Sequence, residues 1–291
     1  MSRYVSMSRR RSILAAALVS AASLALVQCD RAADAPTTPD TADAPVAIPE
    51  KATPLAPQPQ TALGRGDLIS AAAQAASAYA EGRTPTTADP LIGRSFTVRM
   101  PFGCSGPAIP GAAEGEPGVA RWSPADDNRA IQLSLTPGDW TDSALIAAPL
   151  GAREAETWEA VEGFWVPRPW MAAETCPSAP TDPLLTVEPA VSPQTLGIAA
   201  VFEAGGSRVG RRNGRAYAFS VRPAAGQTLS PPVGGYRLVL QGRIVGFPGG
   251  RAIRCKASGP DQRPVCVAAA RMDRVAFEDA AGAVLTEWRA G

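Results

Sequence analysis

The side chains that could do chemistry in this chain are limited by two residue types that are absent or rare. The sequence contains no histidine, which removes Ser-His-Asp and Cys-His catalysis together with histidine-ligated zinc and haem. Its only lysines are Lys51 and Lys256, and Lys51 lies in a proline-rich segment. Carboxylate pairs of the kind that glycosidases use are the main enzymatic route left. The composition therefore favours a protein that is not an enzyme, and we predict no metal site and no cofactor.

One candidate site combines tryptophans with carboxylates. Four tryptophans fall between residues 140 and 170, beside four glutamates between residues 154 and 162. Aromatic surfaces beside carboxylates can bind sugars, through stacking on the ring and hydrogen bonds to the hydroxyl groups. The residues that we predict for glycan binding are Trp158, Trp165, Trp170, Glu159 and Glu162. The alternative is a core strand over residues 158–166 with a charged outer face, because tryptophan also fills cores.

A second candidate site comes from the layout of charge. Residues 111–203 contain 14 acidic and 4 basic residues, whereas residues 204–275 contain 13 basic and 2 acidic residues. A basic face could meet a polyanion such as lipid headgroups or an anionic envelope polymer. The arginines that we predict for anion binding are Arg208, Arg211, Arg212, Arg215, Arg251 and Arg254. The alternative is that the two stretches neutralise each other across strands. No nucleic-acid-binding motif is present, so nucleic acid is not an expected partner.

Four of the five cysteines predict two disulfides. Cys255 and Cys266 flank a loop at residues 258–264, so a bridge between neighbouring strands is natural there. That pairing leaves Cys104 with Cys176, which would close a loop of over 70 residues. A zinc site made by all four thiolates is the alternative, although no Cys-x-x-Cys spacing supports it.

The first thirty residues predict export. Arg3 and the run of three arginines at residues 9–11 give a basic start, and residues 12–27 follow without a charge. A basic region, an apolar region and a processing site make a secretory signal. The apolar run is short of the roughly 20 residues of a spanning helix, so we expect cleavage rather than a permanent anchor.

The end of this segment resembles a lipid-attachment site. Residues 26–29 (Leu-Val-Gln-Cys) are similar to the lipobox of bacterial lipoproteins, although Gln28 stands where that box has Gly, Ala or Ser. The resemblance implies a lipid on Cys29 and a periplasmic, membrane-anchored protein. Cleavage after Ala25 is the alternative. Residues 10–14 (Arg-Arg-Ser-Ile-Leu) also resemble a twin-arginine signal, and both resemblances end within the first thirty residues.

The remaining chain predicts one helix and an all-β domain. Residues 30–62 hold seven prolines and favour a disordered, extended tether. Residues 67–81 are rich in alanine and predict a helix that Asp67 caps and Gly82 ends, within a helix-and-connector segment at 63–91. Residues 92–291 predict an antiparallel sandwich or barrel of about eleven short strands. The predicted strands are 94–101, 119–122, 130–136, 158–166, 196–202, 215–221, 236–245, 251–257, 265–269, 273–277 and 283–288.

The sequence thus predicts an exported cell-envelope lipoprotein that acts as a non-enzymatic binding or structural module. Its expected partners are the membrane, through the lipid on Cys29, and an anionic envelope component. The alternative function is a carboxylate-based hydrolase that acts on envelope glycan.

Overall fold

The computed structural model describes residues 60–83, 87–108, 116–125, 127–146, 158–178, 192–225, 227, 229–230 and 232–290. The chain divides into the units Met1–Ala56 and Pro57–Gly291, and all described residues belong to the second. The predicted signal, Cys29 and nearly all of the predicted tether therefore lie outside the described residues. Within the described ranges, no helix has both the length and the apolar character needed to cross a membrane.

The predicted helix is present as α1 (Arg65–Ala80) and begins two residues earlier than expected. Asp67 is not the N-cap; it lies in the first turn, where its carboxylate accepts the N–H of the N-cap residue Gly64 at 2.9 Å. This bond satisfies one free N–H at the helix start. Gly82 ends the helix as predicted: it has φ of +65°, and its N–H donates to the carbonyl of Tyr79.

The all-β prediction is confirmed, with eleven strands in two sheets. The strands are β1 (Ser95–Phe102), β2 (Arg121–Ala125), β3 (Ala130–Leu135), β4 (Gly138–Asp139), β5 (Trp158–Trp165), β6 (Leu196–Glu203), β7 (Tyr217–Val221), β8 (Tyr236–Ile244), β9 (Ile253–Lys256), β10 (Val265–Asp279) and β11 (Val284–Arg289). The larger sheet has the order β1-β8-β10-β6-β5-β4, with β9 and β11 also paired to β10, and the smaller sheet has the order β2-β3-β7.

Three details differ from the sequence prediction. The predicted strands 265–269 and 273–277 are halves of the single strand β10, because a register shift between Met272 and Arg274 lets the strand continue along β8. The two-residue strand β4 was not predicted. The pairing of β6 with β10 is parallel, whereas we expected only antiparallel pairs. The chain reaches this geometry because β6 and β10 are separated by β7, β8 and β9 rather than by a tight turn.

The main core lies between one face of the larger sheet, the smaller sheet and α1. Phe96, Phe164 and Phe277 are fully buried there, together with Leu133 of the smaller sheet and Leu68 of α1. A second apolar cluster covers the opposite face of β5, β6 and the first half of β10. Because both of its faces are covered, β6 is an almost continuous run of buried residues.

Both predicted disulfides are present. Cys104 and Cys176 are bonded across 72 residues of sequence, and Cys255 bonds Cys266, its direct partner in the β9–β10 ladder. On the chain-entropy model, the long-range bridge stabilises the fold by about 4 kcal/mol. All four sulfurs are used in these bonds, so the alternative of a four-thiolate zinc site is wrong.

Candidate anion-binding face and cleft

A group of arginines lies on the face of the larger sheet that points away from the main core. Phe96, Leu240 and Phe277 point into that core. Side chains alternate along a strand, so the neighbours of these residues point outward, and the strand registers bring the outward residues onto one surface. We call this surface the arginine face and define it by Arg99, Arg237, Arg243, Arg271, Arg274 and Arg289.

Side-chain contacts cross the arginine face from strand to strand. Arg274 Nη1 donates to Gln241 Oε1 at 3.3 Å, and Gln241 Nε2 donates to Thr97 Oγ1 at 3.3 Å. Arg99 Nε donates to Glu278 Oε2 at 3.2 Å. These contacts join β1, β8 and β10 on their outward side, and they hold the guanidinium groups of Arg99 and Arg274 in place.

The arginine face carries more guanidinium groups than carboxylates that pair with them. The ion pairs are Arg99 with Glu278 and Glu174, Arg274 and Arg289 with Glu287, and Arg271 with Glu203. Arg237 and Arg243 instead donate to the backbone carbonyls of Ala280 and Gly93, both at 2.7 Å. Among the described residues, six arginines therefore meet four carboxylates, which leaves a positive surplus.

The arginines of this face differ in how far they reach solvent. The side chains of Arg271 and Arg289 are 58% and 67% exposed, whereas that of Arg274 is 11% exposed. Hydrogen bonds from Arg289 and Arg274 hold the pKa of Glu287 below its usual value. Glu287 is thus charged at neutral pH. It holds the largely buried Arg274 in place, whereas Arg289 remains exposed to solvent.

A cleft opens at one border of the arginine face because β10 has a gap on one edge. On that edge, the ladder with β6 ends at Ala270 and the ladder with β11 begins at Arg274. The three residues between them, 271–273, have no strand partner on this side. The cleft measures about 430 Å³ and is closed above by the β6–β7 loop, residues 204–216. This volume is within the range of small-molecule sites.

One wall of the cleft is aromatic. Tyr217 and Trp288 line it, with ring centroids 5.0 Å apart in an edge-on arrangement. Trp288 also meets Phe277 edge-on at 5.5 Å, so its indole ring is held from two sides. Burial raises the pKa of the Tyr217 phenol, so Tyr217 stays neutral. The wall therefore offers a pre-positioned aromatic surface, which lowers the ordering cost when a ring packs on it.

The other walls of the cleft are charged. Three arginines of the arginine face and three carboxylates line it: Arg271, Arg274, Arg289, Glu162, Glu203 and Asp273. Glu162 is 7% exposed, and its Oε1 accepts the backbone N–H groups of Arg212 at 2.7 Å and Asn213 at 2.8 Å. Burial raises the pKa of Glu162, and these two hydrogen bonds oppose the rise. Its Oε2 accepts no hydrogen bond from the described residues.

The structure does not bring the six predicted anion-binding arginines together, and none of them lines the cleft. Arg208 and Arg211 both pair with Glu159, at 2.7 and 3.0 Å, so here the acidic and basic stretches neutralise each other. Arg212 and Arg215 donate to backbone carbonyls of their own loop. Arg251 forms an ion pair with Asp89 at 3.7 Å, and the guanidinium group of Arg254 lies over the Phe247 ring. The structure thus divides these residues between the β6–β7 loop and the region of β9, and their binding of an anion stays a prediction.

The predicted glycan-binding residues are divided between the two faces of β5. Trp158 packs on Phe247 and Trp165 packs on Trp140, with ring centroids 5.1 and 4.6 Å apart, on the side of the second apolar cluster. Trp170 is 58% exposed in the loop after β5. Glu159 pairs with the loop arginines, and Glu162 lines the cleft on the opposite side. Because alternate side chains point to opposite faces, these five residues do not form one surface.

Sequence reasoning placed no residue of the arginine face among the six arginines predicted for anion binding, and it did not predict the aromatic wall. Four arginines of this face, Arg237, Arg243, Arg271 and Arg274, were counted in the basic stretch, but Arg99, Trp288 and Arg289 lie outside it. The available signal was alternation: Arg99 stands between two apolar residues in β1, and Arg237 stands between Tyr236 and Leu238 in β8. Which strands are neighbours is a long-range property, however, and alternation does not reveal it.

Among the described residues, no three thiol or carboxylate side chains are placed to share a metal ion. No protein-family model matches the chain, and neither a curated protein nor a solved structure is significantly similar to it. The arginine face and the cleft are therefore the features from which a function can be argued.

Proposed function

We propose that the protein is an exported, lipid-anchored binding module of the bacterial cell envelope, and that it binds an anionic envelope polymer through the arginine face. The observation that carries the proposal is the convergence of six arginines from four strands on one outward surface. Arginine binds carboxylate and phosphate groups with two parallel hydrogen bonds, and an extended polymer can meet several arginines at once.

Export is supported by features from two parts of the chain. The basic and apolar segments before Cys29 resemble a lipoprotein signal, and the globular part contains two disulfides. Disulfides persist in oxidising compartments such as the bacterial periplasm. The 33 residues after Cys29 could span about 100 Å if extended, enough to hold the domain away from a membrane.

A binding role fits the cleft and the arginine face better than a catalytic one. Four of the six arginines are engaged by carboxylates of the same chain, which fixes their positions without consuming every hydrogen-bond donor. Such an arrangement suits weak, multivalent contact with a repeating anion, because several modest contacts add along one polymer.

The test uses the full chain, purified from membranes with its lipid. Binding to an acidic polysaccharide, a neutral dextran, and vesicles of phosphatidylglycerol or phosphatidylcholine is measured at low and high salt. We expect the acidic polysaccharide to bind, and to bind more weakly at high salt because exposed charges are screened. Binding only to phosphatidylglycerol would replace the polymer by a lipid surface, and binding to none of the four would overturn the proposal.

A matched pair of variants locates the binding surface. The triple variant Arg243→Gln, Arg271→Gln, Arg289→Gln removes three exposed charges of the arginine face. Its control, Arg208→Gln, Arg215→Gln, Arg263→Gln, removes three exposed charges elsewhere. We expect the first to weaken binding about tenfold or more and the second to change it little. Equal losses in both variants would mean that only net charge matters and would exclude a defined face.

A second candidate function is hydrolysis of envelope glycan by carboxylates. The observation in its favour is that Glu162, with a raised pKa, shares the cleft with Glu203 and Asp273. Glycosidases pair a carboxyl of raised pKa, the acid, with a second carboxylate. The test is release of reducing ends from envelope glycan by the wild type and by Glu162→Gln. Release by the wild type alone would establish the hydrolase, and no release by either would exclude it.

A further inference from the structure

The ion pair between Arg271 and Glu203 lies at the mouth of the cleft and is the most open charged contact there. The side chains are 58% and 53% exposed. An exposed pair of this kind contributes little net stability, because water and salt screen it and two side chains must be ordered. Glu203 can therefore be replaced at Arg271 by another carboxylate or phosphate at little cost. Arg274, which is 11% exposed and bonded to Glu287 and Gln241, has no such freedom.

Beyond this ion pair, the cleft presents groups that suit a hydroxylated ring. Trp288 is held edge-on by two aromatic neighbours and is only partly buried, so its ring is fixed where a ligand ring could pack. Glu162 Oε2 accepts no hydrogen bond from the described residues, and the carboxylate of Asp273 is exposed. A carboxylate only accepts hydrogen bonds, so these groups can accept them from donors such as sugar hydroxyls.

The balance of charge in the cleft excludes some ligand classes. Three carboxylates line it together with three arginines. A ligand with several anionic groups spread around it would meet like charges as often as opposite ones, at a cost in affinity. A neutral ring would leave the exposed arginines without a new partner. One anionic group on a ring with several hydroxyls is the combination that satisfies both sets.

We infer that the cleft binds a single sugar ring that carries one carboxylate or phosphate group, and that Glu203 occupies Arg271 as a substitute for that group until the ligand displaces it. This inference rests on the proposed function, because it identifies the repeating unit that the arginine face would meet. The ring packs on Trp288, its hydroxyls donate to Glu162 and Asp273, and its anionic group takes the place of Glu203.

The test titrates the full lipidated chain in detergent with four probes: glucuronate, glucose 6-phosphate, glucose and inorganic phosphate. Binding is followed by tryptophan fluorescence and by saturation-transfer NMR. We expect one or both acidic sugars to bind at least about tenfold more tightly than glucose or phosphate, since only they use both sets of contacts. Comparison of glucuronate with glucose 6-phosphate tells whether the anionic group is a carboxylate or a phosphate.

Two variants test the role of Glu203, each with a control in the exposed β9–β10 loop. Glu203→Gln removes the competitor, so we expect acidic sugars to bind up to about fivefold more tightly and glucose to be unaffected. Arg271→Gln should abolish the preference for acidic sugars. The controls Asp261→Asn and Arg263→Gln carry the same charge changes and should behave as the wild type, and thermal melts confirm that all four variants fold.

The outcomes separate this inference from the proposed function. Equal binding of glucose and the acidic sugars, or weaker binding of acidic sugars by Glu203→Gln, overturns the inference while polysaccharide binding by the arginine face stands. Binding of the acidic polysaccharide without binding of either acidic sugar also overturns the inference and leaves the proposed function standing. If neither the polysaccharide nor any sugar binds, both the inference and the proposed function fail.

Discussion

Arginines serve opposite purposes in two regions of this molecule. In the β6–β7 loop, Arg208 and Arg211 pair with Glu159, and the backbone of Arg212 donates to the buried Glu162. On the arginine face, by contrast, the guanidinium groups lie on regular strands and Arg271 and Arg289 extend into solvent. The loop arginines therefore attach a loop to a sheet, whereas the strand arginines display charge.

The difference follows from the kind of backbone that carries each group. A loop has no ladder of its own, so it needs side-chain and carboxylate contacts to satisfy its N–H groups and hold its position. A strand is already held by its neighbours, so its outward side chains remain available for a ligand. We therefore expect changes in the loop region to affect stability and changes on the arginine face to affect binding.

The largest expected effect on stability comes from Glu162→Ala. This change removes the oxygen that accepts the backbone N–H groups of Arg212 and Asn213. Unpaired donors at this partly buried site should lower the free energy of unfolding by about 1–3 kcal/mol. Glu162→Gln keeps an oxygen acceptor and is the control. Urea unfolding at neutral pH measures both, and equal losses would mean that the charge rather than the hydrogen bonds holds the loop.

A smaller effect is expected from pH. The pKa of Glu162 is raised above the reference value of 4.5, so the native state holds this proton more tightly than the unfolded state. Its contribution to stability therefore falls as pH rises from about 4.5 through the raised pKa, and is constant above it. The pKa values of Glu159 and Glu287 are lowered, so their contributions are instead lost as pH falls below the reference value.

The pH effect is measured as a difference between two proteins. Urea unfolding of the wild type and of Glu162→Gln across acidic and neutral pH isolates the contribution of this carboxyl. We expect the wild type to lose stability relative to the variant as pH rises above 4.5. A difference that stays flat, or that has the opposite sign, would mean that the two backbone N–H groups stabilise the anion more than burial destabilises it.

The smallest effect is expected from replacing a single arginine in each of the two regions. Arg211→Gln should lower the melting temperature, because Arg211 is 23% exposed and bonds Glu159. Arg271→Gln should leave it within experimental error, because both members of its ion pair are more than half exposed. Parallel thermal melts measure the two, and a larger loss in Arg271→Gln would reverse the assignment of roles.

The sequence was sufficient for most strands, the helix and the Cys255–Cys266 bridge because these depend on local patterns, and the Cys104–Cys176 bridge followed by elimination. Alternating apolar residues mark β1 and β3, and Gly82 marks the end of α1 through its left-handed conformation. The loop between Cys255 and Cys266 predicted their bridge in the same way. Each of these signals lies within a few residues of the feature that it predicts.

The candidate site could not be predicted because it depends on which strands are neighbours. Trp158 and Glu159 are neighbours in sequence and suggested one surface, yet they lie on different faces of β5. Arg99 and Glu278 are 179 residues apart in sequence and form an ion pair. The cleft itself exists only because β6 and β11 end short of each other along β10, and composition gives no sign of that gap.

The position of β10 late in the chain has a consequence for how the protein is made. Residues 265–279 supply the strand that β6, β8, β9 and β11 all join, so the larger sheet has no central member until this segment is in place. Until then β6, β8 and β9 have unpaired apolar edges that are open to chaperones and to one another. The larger sheet is therefore assembled only when β10 joins strands that precede it in the chain.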